Sequence, residues 1–132
     1  EKIQKACRRL EGAFAFLILT EKNMYAIRDR HGLRPLSVAR LGDGFCVSSE
    51  SCAFDLVAAD FCRDVQPGEI LKFSAQGVSS SFYTNVTEHR LCAMEYIYFS
   101  RPDSNVDGLN VHTVRKETGR CLARRDAGTL QA

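Results

Sequence analysis

The sequence has no tryptophan, only three prolines, and no apolar run approaching the roughly 20 residues that span a bilayer. Membrane insertion is therefore not expected. Charge of one sign is also missing: 18 basic and 16 acidic residues leave a net charge of +2. Basic residues are scattered apart from Arg8-Arg9 and Arg124-Arg125, and no basic stripe interleaves with aromatics, so nucleic acid is not an expected partner. No C-x-x-C pair occurs among the six cysteines (Cys7, Cys46, Cys52, Cys62, Cys92, Cys121), which argues against a self-contained zinc site. Spread through apolar runs, most of them read as reduced, buried thiols rather than a disulfide framework. No signal peptide opens the chain, and Glu1 stands where an initiator Met would, so the sequence reads as an excerpt or a processed product. Asn85-Val86-Thr87 fits the glycosylation pattern, which carries no weight in a cytosolic chain.

What is present is the composition of an ordinary globular domain, 132 residues with 45% hydrophobic and 26% charged. Ile3, Ala6, Cys7 and Leu10 recur at helical spacing, and Gly12 ends that helix. "GAFAFLILT" (residues 12–20) reads as a central strand covered on both faces. A tight turn at Lys22-Asn23 leads into "MYAIRD", giving a hairpin. Strands follow at 36–41 and 45–48, with Ser49 as N-cap of a short helix. "CRDV", the turn "QPGE" and the strand "EILKF" come next, then an exposed hairpin arm, "SAQGVSSSFYT". Residues 90–99 read as the last strand, residues 110–125 as a helix of about four turns on Val111, Val114, Thr118, Cys121 and Leu122, and "DAGTLQA" as a frayed tail. Short antiparallel strands with a few helices predict an α+β layered architecture.

Several residues invite a chemical reading. In "RDRHGLRP", Arg28 and Arg34 could grip a carboxylate or phosphate, or Asp29 could cap backbone amides in a polar turn. Glu50 in "SSESCAFD" suits a helix's first turn. Ser51-Cys52 lack a nucleophile elbow, and His31, His89 and His112 occupy dissimilar settings, so no Cys–His pair is expected. Paired carboxylates for glycoside hydrolysis and a glycine-rich phosphate loop are absent. "EYIYFSRPDSNVDG" reads on residue chemistry as a buried strand and its exit turn, with the wall of a site as the alternative.

Taken together, "GAFAFLILTE", "YAIRDRHGLRPL", "VSSESCAFD", "RDVQPGEI" and above all "CAMEYIYFSRPDSNVDGLNVHTVRK" resemble the amidophosphoribosyltransferase family over roughly residues 10–122. Departures are small: Arg30 replaces a usual proline, and Ser100 a common alanine. The resemblance implies part of an N-terminal-nucleophile glutaminase αββα sandwich, two antiparallel sheets between helical layers. Residues 1–99 would be the C-terminal half of a class II glutamine amidotransferase domain. Residues 100–132 would be the crossover and first helix of a phosphoribosyltransferase domain.

It further implies a cytoplasmic, homo-oligomeric parent enzyme of purine synthesis. That enzyme takes ammonia from glutamine to phosphoribosyl pyrophosphate bound with Mg2+. The family's nucleophile is a first-residue cysteine acting with its own α-amino group. Here residue 1 is Glu; that cysteine, the glutamine-binding arginine and the oxyanion asparagine would lie upstream, so no catalytic residue is expected in this chain. Tyr98 matches the ammonia channel at the domain interface, with Arg101 and Asp103 fixing the turn. Arg28, Asp29, Arg34 and Glu50 form a structural polar turn. Cys92 matches one of four ligands of a [4Fe-4S] cluster in the family's iron–sulfur branch, and one thiolate cannot hold a cluster unaided. The rivals are an asparagine synthetase-like glutaminase domain and a non-catalytic module of the same fold. Strands cut from their neighbours would expose unpaired edges and lower solubility.

Overall fold

A computed structural model describes residues 1–85 and 88–128. The glycosylation triplet therefore falls partly, and the C-terminal tail largely, outside the described residues. The architecture is α+β, with antiparallel strands throughout. Helix α1 (Lys2–Cys7) precedes β1 (Ala15–Leu19) and β2 (Met24–Arg28), and β6 (Glu69–Ser74) and β7 (Gly77–Phe82) complete a four-stranded sheet of order β1-β2-β6-β7. A second sheet, β4-β3-β5, comprises β3 (Ser37–Leu41), β4 (Gly44–Ser48) and β5 (Asp60–Asp64), with α2 (Cys52–Leu56) between β4 and β5.

Side-chain alternation in the first sheet builds two cores, because successive strand residues point to opposite faces. Ala26, Leu71 and Phe73 join Leu36, Val38 and Val65 between the sheets. Ile27 and Ile70 face the other way, onto Cys7, Phe14 and Tyr83, where α1 contributes Ile3. The β1–β2 connection is wider than the two residues expected. Leu19 pairs with Met24, and the Thr20 hydroxyl both donates to Asn23 O (2.9 Å) and accepts from Asn23 N (3.0 Å).

Three expectations from the sequence are corrected. β1 is an edge strand, not a central one: Phe16, Leu17 and Leu19 are exposed, the last at 82%. An apolar run records a need for cover, and among the described residues no strand pairs with its outer edge. Ser49 does not cap α2; Ser51 holds the N-cap position, and its hydroxyl instead accepts from Asn105 N (2.7 Å).

The segment read as a final strand is a π-helix, Glu95–Phe99. Ser100 N donates to Glu95 O at 3.0 Å, the five-residue spacing that defines this winding. Its aromatic alternation mimicked a strand, yet Glu95 and Tyr96 are buried while Ile97, Tyr98 and Phe99 are exposed. A contiguous split of that kind belongs to a short helix with one covered side.

After the π-helix, β8 (Asn105–Val106) and β9 (Leu109–Asn110) form a ribbon, and α3 (Val111–Asp126) begins at Asn110, whose side chain accepts from Thr113 N (3.1 Å). Tyr96, Val106 and Val111 make a third, small core with Val114 packed against it. The predicted stripe along α3 is covered only at this first turn; Cys121 and Leu122 are exposed. Among the described residues no helix is long and apolar enough to cross a membrane.

Candidate functional site

The polar features gather where the two sheets meet the π-helix and its ribbon. Arg28, the last residue of β2, is buried with 1% exposure. Its guanidinium donates to the carbonyls of Arg34 (2.9 Å), Val65 (2.8 Å) and Gly32 (2.7 Å), and to both carboxylate oxygens of Asp107 (2.8 and 2.9 Å). A buried charge is tolerable only with such complete pairing. Asp107 sits in the left-handed region (φ 47°) beside Gly108 (φ 79°), an Asp-Gly hairpin turn between β8 and β9. His89 Nε2 also lies 3.3 Å from Asp107 Oδ2.

Asp29, fully buried, folds the next turn by accepting from His31 N (2.9 Å) and Arg34 N (3.2 Å). Gly32 is required there, since at φ +66° an added Cβ would lie 2.9 Å from Pro67 Cγ and 3.2 Å from Arg28 Cζ. The turn thereby presents Arg34 to the π-helix. Its Nη1 is 2.9 Å from Glu95 Oε1, and its guanidinium lies 5.6 Å from the Phe99 ring centre. Glu95 is buried; the Arg34 contact is a charge pair without hydrogen-bond alignment, and Ser100 Oγ donates to the other carboxylate oxygen at 3.2 Å.

Glu50 does not serve α2, where the sequence suggested a first-turn role. Its carboxylate accepts from Arg101 N (2.7 Å) and Ser104 Oγ (2.9 Å), tying the β4–α2 junction to the Arg-Pro-Asp-Ser turn. Arg101 and Asp103 form an exposed ion pair within that turn (2.8 Å). Tyr98 projects outward, 74% exposed, edge-on to Phe99 at 5.7 Å.

Two residues of this junction escaped the sequence reading. Arg115 of α3 donates to Tyr96 O (2.6 Å) and Ser100 O (2.8 Å), capping the π-helix. An arginine one turn into an amphipathic helix gives no local signal of such a role. Asp107 did have one, the Asp-Gly dipeptide, but nothing in sequence links it to an arginine 79 positions away.

A cavity of about 580 Å³ opens at this junction, walled by Phe14, Phe16, Arg34, Glu50, Glu95 and Phe99. It holds charge of both signs against aromatic faces, yet no wall residue is a nucleophile paired with a base. Cys52 is buried, with Sγ 3.9 Å from Glu50 Oε2 and no histidine beside it. Cys92 is half-buried and free, and among the described residues no group of three or more His, Cys, Asp or Glu could hold a metal ion. Chemically the arrangement fastens the two sheets to the segment leading into α3.

Residues 1–55 match a family model described as a glutamine amidotransferase domain. The particular kinship is with amidophosphoribosyltransferase. The chain is 48% identical over 127 residues to that enzyme of Bacillus subtilis (strain 168), covering 96% of this chain and 27% of the relative. It is 41% identical over 125 residues to that of Staphylococcus aureus (strain MRSA252), covering 94% and 25%.

Among solved structures, glutamine phosphoribosylpyrophosphate amidotransferase from B. subtilis, complexed with ADP and GMP, superposes with a TM-score of 0.91 at 49% identity. That match covers 93% of this chain and 27% of that one. A structure described as the allosteric regulatory enzyme of purine biosynthesis gives 0.92 at 48%, covering 94% and 27%. The chain thus resembles amidophosphoribosyltransferase along nearly its whole length, and spans about a quarter of the relatives it matches.

Proposed function

We propose that this chain is part of an enzyme that makes 5-phosphoribosylamine from glutamine and phosphoribosyl pyrophosphate, the first step of de novo purine synthesis. The observation that carries this reading is end-to-end likeness to amidophosphoribosyltransferase in both sequence and fold. Residues 1–99 would belong to a glutaminase of the N-terminal-nucleophile type, and residues 100–132 to the passage into the transferase domain. The parent would be cytoplasmic and homo-oligomeric, and Mg2+ would accompany phosphoribosyl pyrophosphate there.

Within this reading the charged junction is a joint, not a reaction centre. Arg28–Asp107, Arg34–Glu95 and Glu50–Arg101/Ser104 fasten the end of β2, the turn that follows it and the β4–α2 junction to the segment from 95 to 107. Such fastening would fix the π-helix's exposed face, and Tyr98 with it, toward the path that ammonia takes. On this reading the chain alone would not hydrolyse glutamine. The decisive measurement is paired: the full-length protein forms phosphoribosylamine from glutamine and phosphoribosyl pyrophosphate, while this 132-residue chain releases no ammonia from glutamine. Ammonia release by the chain alone would overturn the assignment of roles.

Cys92 supplies one thiolate toward a possible [4Fe-4S] centre, whose role would lie in the full-length protein. The other three ligands would come from outside this chain, since its described cysteines do not cluster with Cys92. A full-length protein with visible iron–sulfur absorbance that Cys92→Ser abolishes would support the ligand role. A colourless wild-type protein with stoichiometric iron absent would remove it.

A further inference from the structure

A second concave site lies away from that joint, and its chemistry is of one sign. A cavity of about 370 Å³ is lined by Arg8, Arg30, Tyr83, Thr84 and Asn85, with two guanidiniums and no carboxylate in its wall. Arg8, just past the end of α1, is held in place because its Nε donates to Tyr83 O at 2.8 Å. That bond orients the guanidinium and spends only one of its five N–H groups. Arg30, on the turn after β2, is partly buried, and among the described residues no ion pair or hydrogen bond engages its side chain.

Asp29, the neighbouring acid, is fully buried, and its two carboxylate oxygens are committed to the backbone of His31 and Arg34. Tyr83 is buried, and burial first, then the nearby Cys7 and Asp29, push its hydroxyl up to about 12 despite Arg30. The phenol therefore remains a neutral donor at any physiological pH.

Two cations on one cavity wall with no lining carboxylate repel, a cost that a bound anion would remove. A dianion with oxygens in several directions suits a wall that offers two planar donor forks and a carboxamide. A planar carboxylate would satisfy only one fork. We propose that Arg8 and Arg30 form a binding site for a tetrahedral oxyanion of the phosphate class, either free phosphate or the phosphoryl group of a small ester. The cavity has room for an ester's organic part beyond the phosphate itself.

The test is a titration of inorganic phosphate into the chain at constant ionic strength, followed by the side-chain Nε–Hε resonances of arginine. The resonances of Arg8 and Arg30 are expected to move together along one saturable curve. Acetate at the same ionic strength should leave them unsaturated. Losing one charge-assisted contact is worth about 1.5 kcal/mol, so Arg30→Gln should weaken phosphate binding roughly tenfold.

Glycerol 3-phosphate separates the two sources: tighter binding than phosphate marks an ester site, and equal or weaker binding a free-phosphate site. Linear, non-saturating shifts, an equal response to acetate, or unchanged affinity in Arg30→Gln would overturn the proposal. Should the variant fail to fold, the wild-type resonances still decide.

Discussion

Replacing Asp107 by asparagine keeps a residue that tolerates the left-handed backbone while stripping buried Arg28 of its countercharge. The guanidinium would retain its three carbonyl acceptors yet remain an uncompensated cation at 1% exposure. A loss of about 3 kcal/mol is expected, read as a lower urea midpoint at unchanged slope.

Glu69 gives a prediction in pH. Burial alone would raise its carboxyl, but two hydrogen bonds from Arg63 (both 2.8 Å), one from Ser80 and one from Gln66 N (2.8 Å) outweigh it and hold the carboxyl below its ordinary range. A depressed folded-state value stabilises the protein above the unfolded value of about 4.3. That stability disappears as pH falls through the lower folded value. Acid unfolding followed by circular dichroism should therefore steepen below pH about 4, and Glu69→Gln should flatten that limb while lowering stability at neutral pH.

At the scale of elements, the sheets were largely readable and the crossover was not. β2 and β6 alternate apolar residues into two cores, and their bounding turns announce themselves through Asn23, Pro67 and Gly68. The π-helix defeated the same method. Its residues have strand-like composition, and what makes it helical is remote: Arg115 on its end carbonyls, Arg34 on Glu95, and the Tyr96 hydroxyl on Val106 O at 2.8 Å. The polar residues Arg28, Asp29, Arg34 and Glu50 could be picked from the sequence, whereas their partners Asp107, Glu95 and Ser104 could not.

The exposed face of this element is also where a functional consequence can be measured. Tyr98 makes no hydrogen bond among the described residues, is 74% exposed and has a ring contact with Phe99. Its truncation to alanine should therefore cost under about 0.5 kcal/mol of stability. If Tyr98 lines the ammonia path of the parent, Tyr98→Ala in the full-length protein should lower glutamine-driven phosphoribosylamine formation several-fold. The reaction driven by external ammonia should hold. An equal fall in both would assign Tyr98 to the transferase site instead.

Across the whole molecule, cover is unevenly distributed. Both faces of β2 and β6 are packed, whereas β1 (Phe16, Leu17, Leu19), the outer face of the π-helix and Leu122 of α3 show apolar side chains to solvent. Leu19, Leu56 and Tyr98 are among the most exposed, at 82%, 79% and 74%. Leu19 lies on the first strand of the β1-β2-β6-β7 sheet, Leu56 on the helix between β4 and β5, and Tyr98 on the passage after β7. The likeness to amidophosphoribosyltransferase was legible because the recognisable motifs coincide with the joint, where Arg28, Asp29 and Glu50 each have several partners.

The winding at 95–99 has one more consequence. A π turn accommodates one residue more than an α turn, so the segment carries a surplus position. Deleting Ile97, an outward-facing residue, would let the turn relax to ordinary α geometry. The link from the π-helix to β8 would then be one residue shorter. Asp107 would swing away from Arg28, and Arg115 away from the carbonyls of Tyr96 and Ser100. The surplus residue thus supplies reach, the length of chain that lets both sets of contacts form at once.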